Sequence, residues 1–162
     1  KRVFVGALRA VDFITSLPQY NGKALGVTGS SQGGALSMVT AALDKRVTFY
    51  AAIHPAMCDH RAHLQKVAGG WPHYFYYFPT PTPQRIQTAD YYDMVNFARR
   101  ITVPGWFSWG YNDDVCPPTS TYAAYNSITA PKELHPYLET GHYWYQEQYE
   151  QWSQWLWAQM GL

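Results

Sequence analysis

The chain has 162 residues, 47% of them hydrophobic, which is enough for one modest domain with a buried core. Its formal net charge is +1, and basic residues never form a run longer than two, so neither nucleic acid nor an anionic membrane is an expected partner. No apolar run approaches the roughly 18 residues that a membrane-spanning helix needs. Composition and charge thus argue against nucleic-acid binding and membrane insertion.

Aromatic residues are unusually frequent, at 17% of the chain with 7 Trp and 14 Tyr, whereas charged residues make up only 14%. Flat aromatic rings favour a sugar-binding surface, because the apolar face of a pyranose packs on them. The alternative is that these rings fill the core and an oligomer interface. Two cysteines, Cys58 and Cys116, are too few for a disulfide framework and leave the redox compartment open. The chain begins with Lys1 and carries no secretory hydrophobic segment there, so we expect a part of a longer protein.

The first predicted elements are a helix, a strand and a second helix. Apolar residues recur at three- and four-residue spacing from Phe4 to Leu17, which predicts a helix that Pro18 ends. Residues 24–28 have the pattern of a short buried strand, and residues 34–43 have that of a helix that begins almost at once.

Between that strand and helix lies the motif G-x-S-x-G, with glycines at Gly29 and Gly33 around Ser31. In this setting the motif is typical of a nucleophile elbow, a sharp turn that presents a serine hydroxyl at the carboxyl end of a sheet. Glycines without a Cβ allow the tight turn and the close approach of helix and strand. Ser30 does not fit, because the glycine positions would then hold other residues. The alternative is a glycine- and serine-rich turn that caps an ordinary helix.

The rest of the chain alternates strands and helices around one irregular excursion. Residues 57–90 lack periodicity and contain an aromatic run and a proline-rich stretch, so we interpret them as a cap-like insertion near the active site. The order predicts an α/β fold with about four parallel strands, right-handed crossovers and helices on both faces. The other predicted strands are 47–53, 103–109 and 133–138, and the other predicted helices are 92–100, 119–127 and 145–160.

Two further residue types needed by a serine nucleophile follow later strands. Asp113 and Asp114 come directly after the strand at 103–109, and His142 comes after the strand at 133–138. A serine hydroxyl needs a histidine to take its proton and an acid to orient that histidine. Elbow-type hydrolases carry them in the order Ser, acid, His. The pattern predicts a triad of Ser31, His142 and one of the two aspartates.

The chain resembles the acetyl xylan esterase and cephalosporin C deacetylase group of carbohydrate esterases, which are α/β-hydrolases. The resemblance is collinear over nearly the whole chain. It rests on RAVDF (9–13), SLP (16–18), GVTG and SQGG (26–29 and 31–34), ALDKRV (42–47), YDMVNFA (92–98), DDVCPPTS (113–120), YAAYN (122–126), PKEL (131–134) and GH (141–142).

This resemblance implies the carboxyl half of an α/β-hydrolase fold, with about four of the usual eight strands. It implies that Asp113, the first residue of the D-x-x-C-P-P motif, is the acid, and that Asp114 is a first-turn or capping residue. It further implies deacetylation of O-acetylated carbohydrate, such as acetyl-xylan or its oligosaccharides, without a cofactor. The backbone N–H of Gln32 is the oxyanion donor that this chain can supply, and the amino half supplies the other. Relatives form ring-like hexamers, so we expect a homo-oligomer or pairing with the amino half to cover the edge strand 24–28.

Three alternatives remain at this stage. Cys58, Asp59, His60 and His63 lie close together in sequence, but no second Cys or His pair follows at zinc-type spacing, so we expect Asp59 or His60 to cap or line the insertion. The chain could also be a carbohydrate-binding or structural module built on an inert hydrolase fold. As an enzyme it could act on short-chain acyl esters generally, or on peptides.

Overall fold

The computed structural model describes residues 1–162 and contains one sheet of four parallel strands in the order β1-β2-β3-β4. The strands are β1 (Gly26–Ser30), β2 (Phe49–Ile53), β3 (Gly105–Gly110) and β4 (Lys132–Tyr137). The predicted α/β class with parallel strands is therefore confirmed. β1 begins two residues later than predicted and extends to Ser30, because Ser30 still pairs with Ile53 of β2.

Helices cover both faces of the sheet, as predicted, but unequally. One face carries four helices, and α7 alone packs on the other. Two short helices and a 3-10 turn, Ala62–Gln65, lie in the excursion between β2 and β3. The helices are α1 (Arg2–Ser16), α2 (Gln32–Leu43), α3 (Tyr74–Tyr77), α4 (Pro83–Asp90), α5 (Met94–Ala98), α6 (Pro118–Asn126) and α7 (Gln146–Met160).

The central strands divide the core between the two faces. Every residue of β2 and β3 is buried, and alternate side chains point to opposite sides of a strand. Tyr50 and Phe107 join the cluster of 17 buried residues under α1, α2, α5 and α6. Ile53 and Trp106 lie on the other face, where Trp155 of α7 and two other aromatic side chains pack against their cluster. The central strands are long apolar runs because they are buried on both faces.

The excursion, residues 57–90, is joined to the carboxyl edge of the sheet by backbone hydrogen bonds. The N–H of Trp71 donates to Val115 (2.8 Å), and the N–H of Met57 donates to Trp71 (2.7 Å). At its far end the N–H of Met94 donates to Met57 (2.9 Å). These bonds hold the excursion beside the loop that follows β3. Its function as a cap stays a prediction.

β1 forms one edge of the sheet, with Gly26 and Thr28 exposed. It pairs with β2 on its inner side alone. That another chain or segment covers this edge remains a prediction. None of the helices combines the length and the apolar character that crossing a bilayer requires.

Candidate active site

Ser31 lies on a strained turn between β1 and α2. Its backbone has φ 55° and ψ −117°, a conformation that costs a non-glycine residue on the order of 1–3 kcal/mol. Backbone hydrogen bonds hold it there, because the N–H of Ser31 donates to Ile53 (2.9 Å) and its carbonyl accepts from Ala35 (3.1 Å) and Ala56 (3.0 Å). The turn therefore depends on β2 as well as on its own strand and helix.

The glycines around Ser31 allow close approach, but the predicted pair is only half right. A Cβ on Gly29 would lie 2.4 Å from the backbone carbon of Gly33, so Gly29 must lack one. A Cβ on Gly33 itself would meet nothing within 4 Å. The second close approach occurs at Gly34, where a Cβ would lie 2.9 Å from the carbonyl oxygen of Ile53. Gly34, one residue later than predicted, thus lets α2 pack on the sheet.

The structure brings Ser31, His142 and Asp113 into one hydrogen-bonded chain. The distance from Ser31 Oγ to His142 Nε2 is 3.0 Å, and that from His142 Nδ1 to Asp113 Oδ2 is 2.8 Å. The Asp113 side chain is fully buried, whereas that of His142 is 23% exposed. Because a buried carboxylate accepts hydrogen bonds, this network assigns the proton of the neutral imidazole to Nδ1. Nε2 is then free to accept the proton of the serine hydroxyl.

Asp113 is fixed through its second carboxylate oxygen. Oδ1 accepts hydrogen bonds from the backbone N–H groups of Val115 (2.9 Å) and Cys116 (2.7 Å). Asp114, expected to be a first-turn or capping residue, is exposed and precedes α6, whose N-cap is Pro117. The interpretation of Asp114 is therefore corrected, since Asp113 itself binds the N–H groups of the turn while holding His142.

Gln32 is the first residue of α2, so its backbone N–H has no acceptor one turn earlier in the helix. Such a group, next to the serine and at the positive end of a helix dipole, can donate to an oxyanion.

The neighbouring Cys116 thiol is buried, and burial, followed by the charge of Asp113, raises its pKa to about 12. Cys116 consequently stays protonated and does not compete as a nucleophile.

Sequence reasoning missed a second histidine at the site. His54 directly follows β2, is only 2% exposed, and packs its ring 4.2 Å from that of His142. Its Nε2 lies 2.6 Å from Ser30 Oγ, the serine set aside because it does not fit the motif. The rule that found His142, a polar side chain just past a strand, applies equally to His54 and was the available signal.

One group near the serine has metal-type ligand atoms. Atoms of His54, Asp113 and His142 lie within 4.8 Å of one another. Most of these atoms are already hydrogen-bonded, since both oxygens of Asp113 and both nitrogens of His142 have partners. Only Nδ1 of His54 is without one. These bonds fit a proton relay better than a metal ion.

The backbone of the predicted alternative cluster around Cys58 is tied into the fold by a carboxylate. The carboxylate of Asp93 accepts from the backbone N–H groups of Asp59 (3.0 Å) and His60 (2.7 Å) and also from that of Val95 (2.9 Å). Asp93 thus ties the start of the excursion to α5. His60 lines a cavity of about 470 Å³ that also reaches Gln32, next to the serine.

A sheet of this topology with a hydrogen-bonded serine, histidine and aspartate at its carboxyl edge defines an α/β-hydrolase. The chain belongs to the acetyl xylan esterase family, whose model matches residues 1–159. It is 55% identical over 133 residues to the acetyl esterase Axe7A of Xylanibacter ruminicola, a match that covers 82% of this chain and 30% of that protein.

Solved structures give the same family. The acetyl xylan esterase from Paenibacillus sp. R4 superposes with a TM-score of 0.85 at 29% identity, covering 96% of this chain and 52% of that one. Acetyl xylan esterase 1 from Thermoanaerobacterium sp. JW/SL YS485 superposes with a TM-score of 0.81 at 27% identity, with the same coverage of 96% and 52%. The chain therefore spans about half the length of these solved relatives.

Proposed function

We propose that this chain carries the catalytic triad of a serine carboxylesterase that removes acetyl groups from O-acetylated carbohydrates, such as acetyl-xylan or xylo-oligosaccharides. The observation that carries the proposal is the chain of two hydrogen bonds from Ser31 through His142 to Asp113. Membership of the acetyl xylan esterase family supports the acetyl ester as substrate.

In the first half of the reaction, Ser31 Oγ attacks the acetyl carbonyl carbon while His142 Nε2 takes the hydroxyl proton. The carbonyl oxygen becomes an oxyanion, towards which the N–H of Gln32 donates a hydrogen bond. As the tetrahedral intermediate collapses, the bond to the sugar oxygen breaks and His142 returns the proton to that oxygen. The products are acetyl-Ser31 and the free sugar hydroxyl.

In the second half, water replaces the sugar. His142 takes one proton from water as the water oxygen attacks the carbonyl carbon of acetyl-Ser31. When the intermediate collapses, the bond from that carbon to Ser31 Oγ breaks and His142 gives its proton to Oγ. Acetic acid leaves and ionises to acetate in solution. Asp113, held by two backbone N–H groups, keeps the proton of neutral His142 on Nδ1 and stabilises the imidazolium that forms twice in each cycle.

The cavity beside Gln32 supports a substrate larger than an acetyl group. Its volume is about 470 Å³, in the range of small-molecule sites. Aromatic rings of Tyr74 and Tyr92 and the imidazole of His60 line it, and such rings pack on the apolar faces of sugars while their polar tips bind hydroxyls. We assign this cavity to the carbohydrate part of the substrate.

The test is acetate release from acetylated xylo-oligosaccharides, with labelling of the chain by a fluorophosphonate in parallel. Ser31→Ala should abolish both signals, and EDTA should leave both unchanged. Ser16→Ala, at the exposed end of α1, is the matched control and should behave as wild type. Because removing one oxyanion donor costs on the order of 10²–10³ in turnover, we expect the 162-residue chain to be that much slower than a two-donor esterase.

Three outcomes separate the alternatives. A chain that the fluorophosphonate does not label is an inert module. Labelling with hydrolysis of p-nitrophenyl acetate but not of acetylated sugar indicates a general short-chain esterase. Acetate release that survives Ser31→Ala, or that EDTA abolishes, refutes the serine mechanism.

We also propose that the exposed edge of β1 is covered in the functional assembly, by a second copy or by a further segment. The support is that a bare edge of a parallel sheet is an aggregation hazard, and that Gly26 and Thr28 lie open there. Analytical ultracentrifugation with hydrogen exchange tests this. A stable monomer whose β1 amides exchange freely contradicts the proposal.

A further inference from the structure

Beside the triad lies a second serine–histidine pair, at the carboxyl ends of β1 and β2. Ser30 ends β1 directly before Ser31, and His54 follows Ile53, the last residue of β2. Ser30 Oγ lies 2.6 Å from His54 Nε2, and the indole N–H of Trp144 donates to the same oxygen (3.3 Å). Trp144 lies two residues past His142, so its hydrogen bond links Ser30 to the segment that carries His142.

The ring of His54 packs directly on the ring of His142. Their centroids are 4.2 Å apart with an angle of 41° between the planes. Trp144 also packs against His54, in an edge-on arrangement with ring centroids 6.4 Å apart at 86°. His142 is thus confined by the face of His54 and by its hydrogen bonds to Asp113 and Ser31.

His54 stays uncharged. Its side chain is buried, and burial, followed by the charge of His142, lowers its pKa to about 3. The imidazolium that forms on His142 therefore meets a neutral ring and not a second cation. Trp144 can only donate, so the hydroxyl of Ser30 is free to donate to His54 Nε2 and to fix that neutral form.

His54 also has a feature that packing alone does not explain. Its Nδ1 is buried without a hydrogen-bond partner, and a buried polar atom of this kind is rare and disfavoured. A phenylalanine at this position would pack a ring there without burying an unpaired polar atom. The same lack of a partner means that no acid orients His54, so Ser30 and His54 do not form a second triad.

We propose that His54, held by Ser30 and Trp144, is a positioning residue for His142: it keeps the imidazole turned towards Ser31 and Asp113 through both proton transfers. This inference rests on the proposed function, in which His142 is the base. His54 exchanges no proton in the cycle, and its effect on the reaction passes through the orientation of His142. Since a misplaced catalytic group costs up to about 10²-fold in rate, losing this contact should lower kcat by about 10- to 100-fold.

The experiment measures kcat and KM for p-nitrophenyl acetate in His54→Ala, His54→Phe and Ser30→Ala. All three should lower kcat with KM within about twofold of wild type, because His54 is buried away from solvent. His54→Ala should fall furthest, and added imidazole should recover part of its kcat by filling the vacated space. His54→Phe keeps a ring but not the bond to Ser30, so its kcat should lie between that of His54→Ala and that of wild type. His135→Phe, another ring that stacks on an aromatic neighbour (Trp106, 5.1 Å), is the matched control and should match wild type.

A double-mutant cycle separates positioning from a general loss of folding. In a His142→Ala background, His54→Phe should cause no further loss, because its effect needs the His142 ring. The NMR signal of the proton between His142 Nδ1 and Asp113 should broaden in His54→Phe and stay sharp in His135→Phe. If His54→Ala fails to fold, Ser30→Ala and His54→Phe carry the test.

Failure of the inference is distinguishable from failure of the proposed function. If Ser31→Ala abolishes hydrolysis while His54→Phe and Ser30→Ala match wild type, the proposed function stands and the positioning of His142 by His54 is wrong. An additive loss in the His142→Ala background, or a rise in KM with unchanged kcat, contradicts the inference too. Hydrolysis that survives Ser31→Ala overturns the proposed function itself.

Discussion

The carboxyl edge of the sheet and the excursion at 57–90 lie against each other, but different forces hold them. At the edge, Ser31 and His54 follow strands that are pinned by backbone ladders and by buried neighbours on β2 and β3. In the excursion, α4 has no buried residue, and Tyr76 and Tyr77 are 67% and 66% exposed. The excursion has few buried apolar residues, among them Ala62 and Phe75, and polar anchors such as Asp93 add to them.

The difference teaches where precision is built into this molecule. A proton relay needs atoms held to within fractions of an ångström, and rigid strands with buried side chains provide that. The excursion has fewer buried apolar side chains than the central strands, so its local unfolding should cost less than global unfolding. Substitutions at the edge should therefore affect chemistry and global stability, and those in the excursion should have smaller, local effects.

The largest expected effect is on the reaction. Asp113→Asn leaves the shape of the side chain but favours the wrong tautomer of His142, so kcat should fall about 10⁴-fold. The rate of fluorophosphonate labelling and the kcat for p-nitrophenyl acetate measure this. Asp114→Asn is the matched control on the exposed neighbour and should stay within twofold of wild type; an equal fall in the two variants would undo the assignment of the acid.

The next effect is on global stability at the edge. Gly29→Ala would bring a Cβ to 2.4 Å from the backbone of Gly33, and such overpacking should lower the free energy of unfolding by about 3 kcal/mol. Gly33→Ala meets nothing within 4 Å and should be neutral or stabilising by up to about 1 kcal/mol, because alanine favours helix. Urea unfolding measures both. Equal destabilisation by the two substitutions would contradict the close-approach argument.

A smaller effect is expected where the excursion is anchored. Asp93→Ala leaves the N–H groups of Asp59, His60 and Val95 without their acceptor, and losing a cap of this kind should cost about 2 kcal/mol. Limited proteolysis should then cut residues 57–90 faster than in wild type. Asp93→Asn, which keeps one acceptor oxygen, should lie between the two. Unchanged proteolysis in Asp93→Ala would show that other contacts hold the excursion.

The smallest effect is expected on the surface of the excursion. Arg61 and Asp90 form an ion pair whose side chains are 52% and 28% exposed. Exposed pairs contribute about 1 kcal/mol or less, so Arg61→Ala should shift the melting temperature by only a few degrees at most. A shift comparable to that of Asp93→Ala would mean that the excursion is held more tightly than its exposure indicates.

Much of the edge could be predicted from the sequence, because its signals are local. The turn around Ser31 needs a glycine at Gly29 for a steric reason that appears in the motif itself. Two candidate aspartates and the histidine were found by their positions just past strands, since parallel strands bring their carboxyl ends to one edge, and the family resemblance then selected Asp113. By contrast, the capping interpretation of Asp114 failed because two adjacent aspartates look alike until one of them is buried.

Contacts between distant segments could not be predicted. Gln148 of α7 is fully buried and donates to Ser108 Oγ (2.6 Å), which in turn donates to the carbonyl of His135 (2.6 Å). A buried glutamine gives no signal in apolar periodicity. Asp93 binds residues that lie 33 and 34 positions earlier in the chain. No local pattern in the sequence indicates a contact over that distance.

By itself, the sequence determined the alternation of strands and helices, the elbow at Ser31 and the order of acid and histidine, because apolar periodicity and turn sterics act over a few residues. Tertiary structure alone decided which aspartate is buried, which glycine touches the sheet, and that His54 packs on His142. These three outcomes depend on how neighbouring strands pair within the sheet. Since hydrogen bonding and burial there join residues far apart in the chain, no local pattern records them.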